Sequence, residues 1–237
     1  MRRFYLFLLV LLLSVGACQS EEAPELSAEE IVMNTAVRMA ETAGFRFRIV
    51  QDGAFVYVDP DGILAFRSAE GVYTAPDKAA ASVKIIAPGL ITDVEVISIG
   101  ETQWQTNVLT QAWEELPPNW GFNPTVLFDD EIGLQAILAQ DVTDLQFLGT
   151  ENLAESDGPD GEFLKVSGKV AGERLLEMSG GLIGKQPAEV TLWVQPETFE
   201  LMRIALTEPV PDAEESSNWV VDFANYDQVV EIEPPVE

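Results

Sequence analysis

Alternation of apolar and polar side chains dominates this chain from residue 45 onward, and no other feature constrains the fold as strongly. Phe45, Phe47 and Ile49 alternate with arginines, and similar segments recur between short turns. A period of two is typical of a strand with one buried face. The candidate strands are residues 45–49, 54–58, 63–66, 71–74, 82–87, 93–99, 102–106, 145–149, 162–170, 189–194, 199–207, 218–223 and 228–233. They predict an α+β fold with one long antiparallel sheet of about eleven strands.

Helical signals are few. Ser27 and Glu30 have the spacing of a capping box, and apolar residues then recur at helical intervals until Gly44. Residues 129–140 predict a second helix, and residues 172–179 a short third one. A twisted sheet of this many strands tends to curl, and two or three helices are little cover for its apolar face. The interior is then a filled core or an apolar hollow, and these patterns leave both open.

The N-terminus has the pattern of a lipoprotein export signal. Arg2 and Arg3 precede an apolar run at residues 4–13, which is shorter than the roughly 20 residues that span a bilayer. Small residues then lead to Cys18, the only cysteine. We expect residues 1–17 to be removed as a signal peptide, and Cys18 to become the N-terminus and to carry acyl chains such as palmitate.

Such an anchor predicts where the folded part works. Residues 18–26 are polar and contain a proline, so we expect a lipidated, flexible tether, followed by one domain at residues 27–237. Two or more acyl chains give lasting attachment, which predicts a protein held at the extracytoplasmic face of the cell membrane. The alternative is a plain secretory signal with an unpaired cysteine.

Charge excludes one class of partner. Removal of the signal leaves 11 Lys and Arg against 40 Asp and Glu, a formal net charge of −29. Nucleic acids and anionic membrane surfaces would repel a folded domain of this charge. We therefore expect no nucleic-acid partner, and attachment to the membrane through the N-terminal lipid.

Catalytic signatures are absent from the sequence. The chain has no histidine, the usual general base and the commonest transition-metal ligand. Acid pairs such as Asp59 with Asp61 and Asp129 with Asp130 are expected by chance among 40 carboxylates, and the first pair has the pattern of a turn. No Gly-x-Gly-x-x-Gly or Walker motif is present. We expect no enzymatic activity, no metal and no cofactor.

Several stretches together resemble the LppX/LprG/LprA/LprF lipoprotein family. They begin with the small-residue motif ending at Cys18, the first helix leading into residues 45–49, and residues 94–100. Trp113 followed by residues 128–138 resembles the family's central segment, with an aspartate where a proline is common. The later strands and the closing strands of the family are matched by residues 147–149, 163–170, 190–194, 199–206, 222–223 and 232–235. The resemblance rests on hydrophobic pattern and spacing.

This resemblance implies a half-barrel, a strongly curved antiparallel sheet with helices on its concave side that enclose an apolar cavity. Known members bind or move lipids and acylated glycolipids within the envelope, and a membrane transporter is an implied candidate partner. Transfer without a carrier is slow, because a 16-carbon chain loses about 13 kcal/mol on leaving a bilayer at about 0.8 kcal/mol per methylene. The candidate cavity residues are Val83, Ile85, Val94, Val96, Ile132, Ala136, Ile137, Leu138, Leu164, Val166, Val190, Leu192, Val194, Met202, Ile204 and Leu206.

Two alternatives to a lipid carrier remain open at this point. One is an envelope lipoprotein with a filled core that acts as a structural or protein-interaction module. The other is an extracytoplasmic hydrolase, which would need acids such as Asp59 or Asp129 to converge in a cleft with raised pKa values.

Overall fold

A computed structural model describes residues 26–59, 61–117, 123–155, 158–184, 186–211 and 213–236 of the chain. It contains one eleven-stranded sheet in which every neighbouring pair is antiparallel. The strands are β1 (Gly44–Gly53), β2 (Ala65–Thr74), β3 (Lys78–Ala87), β4 (Leu90–Ile99), β5 (Thr102–Thr106), β6 (Trp113–Glu115), β7 (Val142–Ala154), β8 (Asp160–Val170), β9 (Ala188–Val194), β10 (Leu201–Glu208) and β11 (Ser217–Ala224). The predicted α+β class and the strongly curved sheet of about eleven strands are confirmed.

The order of the strands is β6-β5-β4-β3-β2-β1-β11-β10-β9-β8-β7. The first strand therefore lies in the middle of the sheet, and β6 and β7, which follow each other in sequence, lie at opposite edges. We call the end where β1 begins the lower end and the end where it finishes the upper end. The connection between β6 and β7 runs from one edge of the sheet to the other.

Three helices cover the sheet. They are α1 (Ala28–Ala40), α2 (Leu134–Gln140) and α3 (Gly172–Met178), and a short 3-10 helix, Pro124–Phe128, precedes α2. The predicted capping box is present, because the backbone N–H of Glu30 donates to Ser27 Oγ and that of Ser27 to a Glu30 carboxylate oxygen. None of the helices in the described part of the chain is long and apolar enough to cross a bilayer.

The helices pack on the concave face of the sheet. Register defines that face, since residues opposite each other in an antiparallel pair point the same way: Phe47 on β1 lies opposite Gly71 on β2 and Phe223 on β11. Phe128 is the last residue of the 3-10 helix. The centroid of the Phe45 ring lies 4.8 Å from that of Phe128 and 5.3 Å from that of Phe223. Helix and sheet side chains share one buried apolar cluster, as expected for helices on the concave side.

Several predicted elements differ from the structure. Residues 63–66 and 71–74, predicted as two strands, lie in or next to the single strand β2. Residues 54–58 form no strand and belong to the loop between β1 and β2, with a single bridge from Tyr57 to Ala65. Residues 228–233 also form no strand, although the backbone of Val230 bonds to the Thr74 hydroxyl at 2.9 and 3.3 Å. The second helix is shorter than residues 129–140, because the Asp129 carboxylate accepts two backbone N–H bonds and holds a turn before it.

The convex face carries a nearly buried ionic cluster. Arg203 on β10 donates to the carboxylate of Asp222 on β11, with Nη2 3.0 Å from Oδ2, and also to Glu155 Oε2 at 2.7 Å. The side chains of Arg203 and Asp222 are 10% and 11% exposed. The hydrogen bonds from Arg203 hold the pKa of Glu155 below its ordinary value. The cluster ties two central strands to the end of β7.

Replacement of Arg203 by methionine should lower the free energy of unfolding by about 3 kcal/mol, because it leaves the buried Asp222 carboxylate without this guanidinium. Arg67 is the control, since its Nη1 lies 3.1 Å from Asp52 Oδ1 in a pair whose side chains are 43% and 77% exposed. Arg67→Met should cost less than about 1 kcal/mol. Urea denaturation measures both, and equal losses would contradict a special structural role for Arg203.

Candidate functional site

The concave face holds most of the predicted cavity residues. On one side of the sheet Val83 lies opposite Val94, and on the other Ile204 lies opposite Leu192, which in turn lies opposite Val166. Eleven of the sixteen are buried, and they are Ile85, Val94, Ala136, Ile137, Leu138, Val166, Val190, Leu192, Val194, Ile204 and Leu206. The half-buried ones are Val83, Val96, Ile132, Leu164 and Met202. The face is therefore apolar across its width, and helices and strands share its interior.

A bulge shifts one predicted residue. The register of β10 against β9 slips between Leu201 and Arg203, so that Leu201 lies opposite Val194 and joins the buried apolar cluster. Met202 lies at the slip and outside that cluster. Alternation alone assigned Met202 to the face of Ile204, and a bulge, which adds one residue to a strand, reverses the assignment before it.

A concavity of about 400 Å³ opens at the lower end between α1, the turn after β2 and the start of α2. This volume falls in the range of about 300–1,000 Å³ usual for ligand pockets. We call it the basal cavity, and its lining consists of Met39, Ala40, Thr42, Phe45, Tyr73, Ala75, Pro76, Phe128, Asp129, Asp130, Glu131 and Gln135. It has an aromatic floor continuous with the core and an acidic rim.

None of the sixteen predicted residues lines the basal cavity. The sequence predicted Phe45 in a strand and Gln135 in the second helix, but gave no reason to bring them together. Their proximity depends on the long connection from β6 to β7, which carries residues 128–135 back to the beginning of β1. The sequence signal for a turn at this point was the pair Phe128-Asp129, directly at the start of the predicted second helix.

Two polar side chains that line the basal cavity, Tyr73 and Gln135, are held by hydrogen bonds to backbone carbonyls. The Tyr73 hydroxyl donates to the Pro76 carbonyl at 2.8 Å, and burial, reinforced by Asp130, raises its pKa to about 12, so the phenol stays neutral. Gln135 donates to the Phe128 carbonyl at 2.5 Å, while its own Oε1 is buried without a hydrogen-bond partner among the described residues. Gln135 Oε1 can accept a hydrogen bond from a guest that reaches it.

The acid pairs behave as turn residues. Asp59 accepts the backbone N–H of Ile63 at 3.0 Å and of Leu64 at 2.6 Å, and Asp129 accepts those of Glu131 and Ile132. Within the described ranges, no group of three or more Asp, Glu or Cys side chains is placed to hold a metal ion.

A second concavity of about 470 Å³ lies along β7, β8 and β9, beside the bulge that follows Thr143. Asp144, Lys169 and Glu189 contribute to its lining. Lys169 and Asp144 form an ion pair of 3.0 Å with both side chains more than half exposed, so this concavity is an open polar surface.

A hydrogen-bonded latch closes the lower end beside the basal cavity. Asp227 Oδ1 accepts the Ala43 backbone N–H at 3.1 Å, and Oδ2 accepts Arg38 Nη2 at 2.7 Å. Arg38 also bonds Glu200 at 2.7 Å. The bond from Ala43, followed by that from Arg38, lowers the pKa of Asp227.

A lowered native pKa means that Asp227 adds stability above its ordinary pKa of about 3.9, and that this stability is lost as the pH falls through the native value. The urea midpoint of the parent should therefore exceed that of Asp227→Asn near neutral pH, and the gap should narrow as the pH falls below about 4. A gap independent of pH would contradict the latch.

The sequence model of the LppX_LprAFG lipoprotein family matches residues 27–232. The structure is similar to that of LprF from Mycobacterium bovis, with a TM-score of 0.66 and 15% sequence identity over 89% of this chain and 97% of that one. It is also similar to the lipoprotein LppX from Mycobacterium tuberculosis, with a TM-score of 0.58 and 15% identity over 87% of this chain and 98% of that one. No curated protein sequence matches the chain.

A curved antiparallel half-barrel with helices on its concave side is the fold of these lipoproteins. The chain belongs to the LppX_LprAFG lipoprotein family. Membership assigns it to the lipid-anchored proteins of the cell envelope. The predicted signal peptide, Cys18 and the first residues of the tether lie outside the described residues.

Proposed function

We propose that this protein is a membrane-anchored, extracytoplasmic lipoprotein that binds the acyl chains of lipids or glycolipids on its concave face and carries them within the cell envelope. The observation that carries the proposal is the disproportion between sheet and cover. Eleven strands present an apolar concave face, while the helices above it have 13, 7 and 7 residues.

Short helices suit a movable cover. A helix of seven residues is not stable alone and depends on its packing, so we infer that α2, with the preceding 3-10 helix, is the part of the cover that moves. Gln135 and Phe128 lie on this segment and line the basal cavity. An acyl chain would displace this cover and occupy the apolar surface beneath it.

Buried polar atoms without hydrogen-bond partners support the proposal that a guest molecule occupies part of the interior. The Ser98 and Gln103 side chains lie opposite each other on β4 and β5 and have buried oxygens without hydrogen-bond partners among the described residues. The indole N–H of Trp219 is in the same state. Unpaired buried groups cost free energy. A guest hydroxyl could donate to the Gln103 amide oxygen, and a guest ester carbonyl could accept from the Trp219 indole N–H or the Ser98 hydroxyl.

The proposed anchor at Cys18 would keep the carrier at the membrane. A dual or triple acyl anchor holds the domain at the membrane, where its ligands reside. The domain boundaries at residues 17, 18, 26 and 27, the lipid cargo and a membrane transporter as partner are parts of this proposal.

Mass spectrometry of the purified chain tests the proposal. Organic extraction should release lipid in a fixed ratio to protein, and labelled lipid should exchange with it. A chain that neither retains nor exchanges lipid would overturn the proposal. Its failure would favour a structural or protein-interaction module, which the closely packed cluster of buried side chains between helices and sheet also fits.

A further inference from the structure

Exposed apolar side chains are concentrated at the upper end of the sheet. The loops between β1 and β2, β3 and β4, and β5 and β6 all lie there, because these strands alternate in direction. Neighbouring strands are about 4.8 Å apart, so successive loops follow at about 10 Å. The apolar rim, as we call it, consists of Phe55, Tyr57, Val58, Ile63, Leu90, Ile91 and Leu109, with exposures from 37% to 85%.

The largest loop holds its apolar side chains outward on a bonded backbone. Val58 N–H donates to the Leu64 carbonyl at 2.9 Å, and Phe66 N–H to the Val56 carbonyl at 2.8 Å. Val56 packs against the buried cluster, whereas Phe55 and Tyr57 are 58% and 49% exposed, with ring centroids 6.4 Å apart. The loop therefore presents aromatic rings to solvent by its own hydrogen bonding.

We infer that the apolar rim dips into the interfacial region of the bilayer to which the chain is anchored. Tyr57 is an aromatic side chain with a polar tip, a type favoured at that depth, and exposed apolar patches mark interaction sites. This goes beyond the proposed function, because it assigns the orientation of the domain on the membrane rather than its ligand.

Chain length makes the contact attainable. Leu26 is eight positions after Cys18, and a fully extended chain of that length reaches at most about 29 Å. The latch holds the C-terminus of α1 at the lower end. The 13 residues of α1 measure about 20 Å, so the tether begins at most about 20 Å from that point. Its own reach then allows the upper end to face the lipid.

The charged side chains near the apolar rim favour a hydrophobic and shallow contact with the bilayer. The cations near the rim are engaged, since Arg67 pairs with Asp52 at 3.1 Å and Lys84 with Asp93 at 3.5 Å. Asp59 and Asp61 lie in the same loop as Phe55 and oppose deep insertion. Anionic lipid should therefore weaken the contact, and added salt should restore it.

Site-specific fluorescence on the full lipidated chain in phosphatidylcholine vesicles tests the inference. Ile63→Cys places a thiol on the rim, and Val229→Cys places a matched one at the lower end, where Val229 is 62% exposed. An environment-sensitive dye at position 63 should shift to shorter wavelength and be quenched by lipids carrying a spin label, and a dye at position 229 should not. Phe55→Ser with Leu109→Ser in the Ile63→Cys chain should reduce both effects.

Equal quenching at the two positions, or none at either, would overturn the inference, and so would shielding that requires an added protein. The parent chain should take up no dye, because its single cysteine is acylated. Uptake by the parent would reject the anchor alone, which keeps that failure distinct from a failure of the rim.

Discussion

Replacement of Ile204 by glutamine is expected to abolish uptake of acyl chains. Ile204 is 9% exposed on the concave face, opposite Val221 and Leu192. An amide there forfeits apolar surface and costs about 1–3 kcal/mol if it finds no hydrogen-bond partner. Exchange of labelled lipid measures the effect, with circular dichroism to show that the variant is folded.

Met202→Gln is the matched control. Met202 is two residues away in the same strand, but it lies at the β-bulge and outside the apolar cluster, so uptake should be retained. Folded variants with equal uptake at both positions would mean that Ile204 does not line a guest site. That result would favour the alternative, a structural or protein-interaction module.

The Cys18→Ala variant is expected to be lost from the membrane completely. It would be exported on a signal peptide that is cleaved before residue 18. Acyl chains are the proposed attachment, and even one chain gives only marginal binding. The loop that carries Phe55 and Tyr57 also carries Asp59 and Asp61, so the apolar rim cannot replace the acyl chains on anionic membranes. Fractionation of cells into membrane and soluble material measures the loss.

The same chain with Cys18 and its own signal is the control, and it should remain in the membrane fraction. Lipid exchange by the released domain should be unchanged, because residue 18 precedes the folded part. Membrane retention of the alanine version would reject the anchor.

Most of the sheet could be predicted from the sequence because alternation and turn residues are local signals. β5 was placed at residues 102–106, as it is in the structure, and β9 and β11 were placed to within one residue at each end. Residues 54–58 alternate as clearly as the strands do. The adjacent strands β1 and β2 pair with each other directly, however, and a local pattern does not reveal which segments pair. The β10 bulge is equally invisible to a rule that assumes a strict period of two.

The basal cavity could not be predicted, because residues far apart in the chain create it. Phe45 and Phe128 meet only after the connection from β6 has returned across the sheet, and Gln135 follows on α2. Nor does composition tell a filled interior from one that opens. That choice depends on the free energy that holds α2 in place, and no pattern of residue types encodes it.

The connection between β6 and β7 has a mechanical consequence for the whole half-barrel. Since it joins the two edge strands, any motion that moves the edges apart must also increase the distance that this connection spans. Flattening of the sheet and displacement of α2 are therefore coupled through the covalent chain. The finite length of that chain sets an upper bound on the girth of any molecule that the half-barrel can enclose.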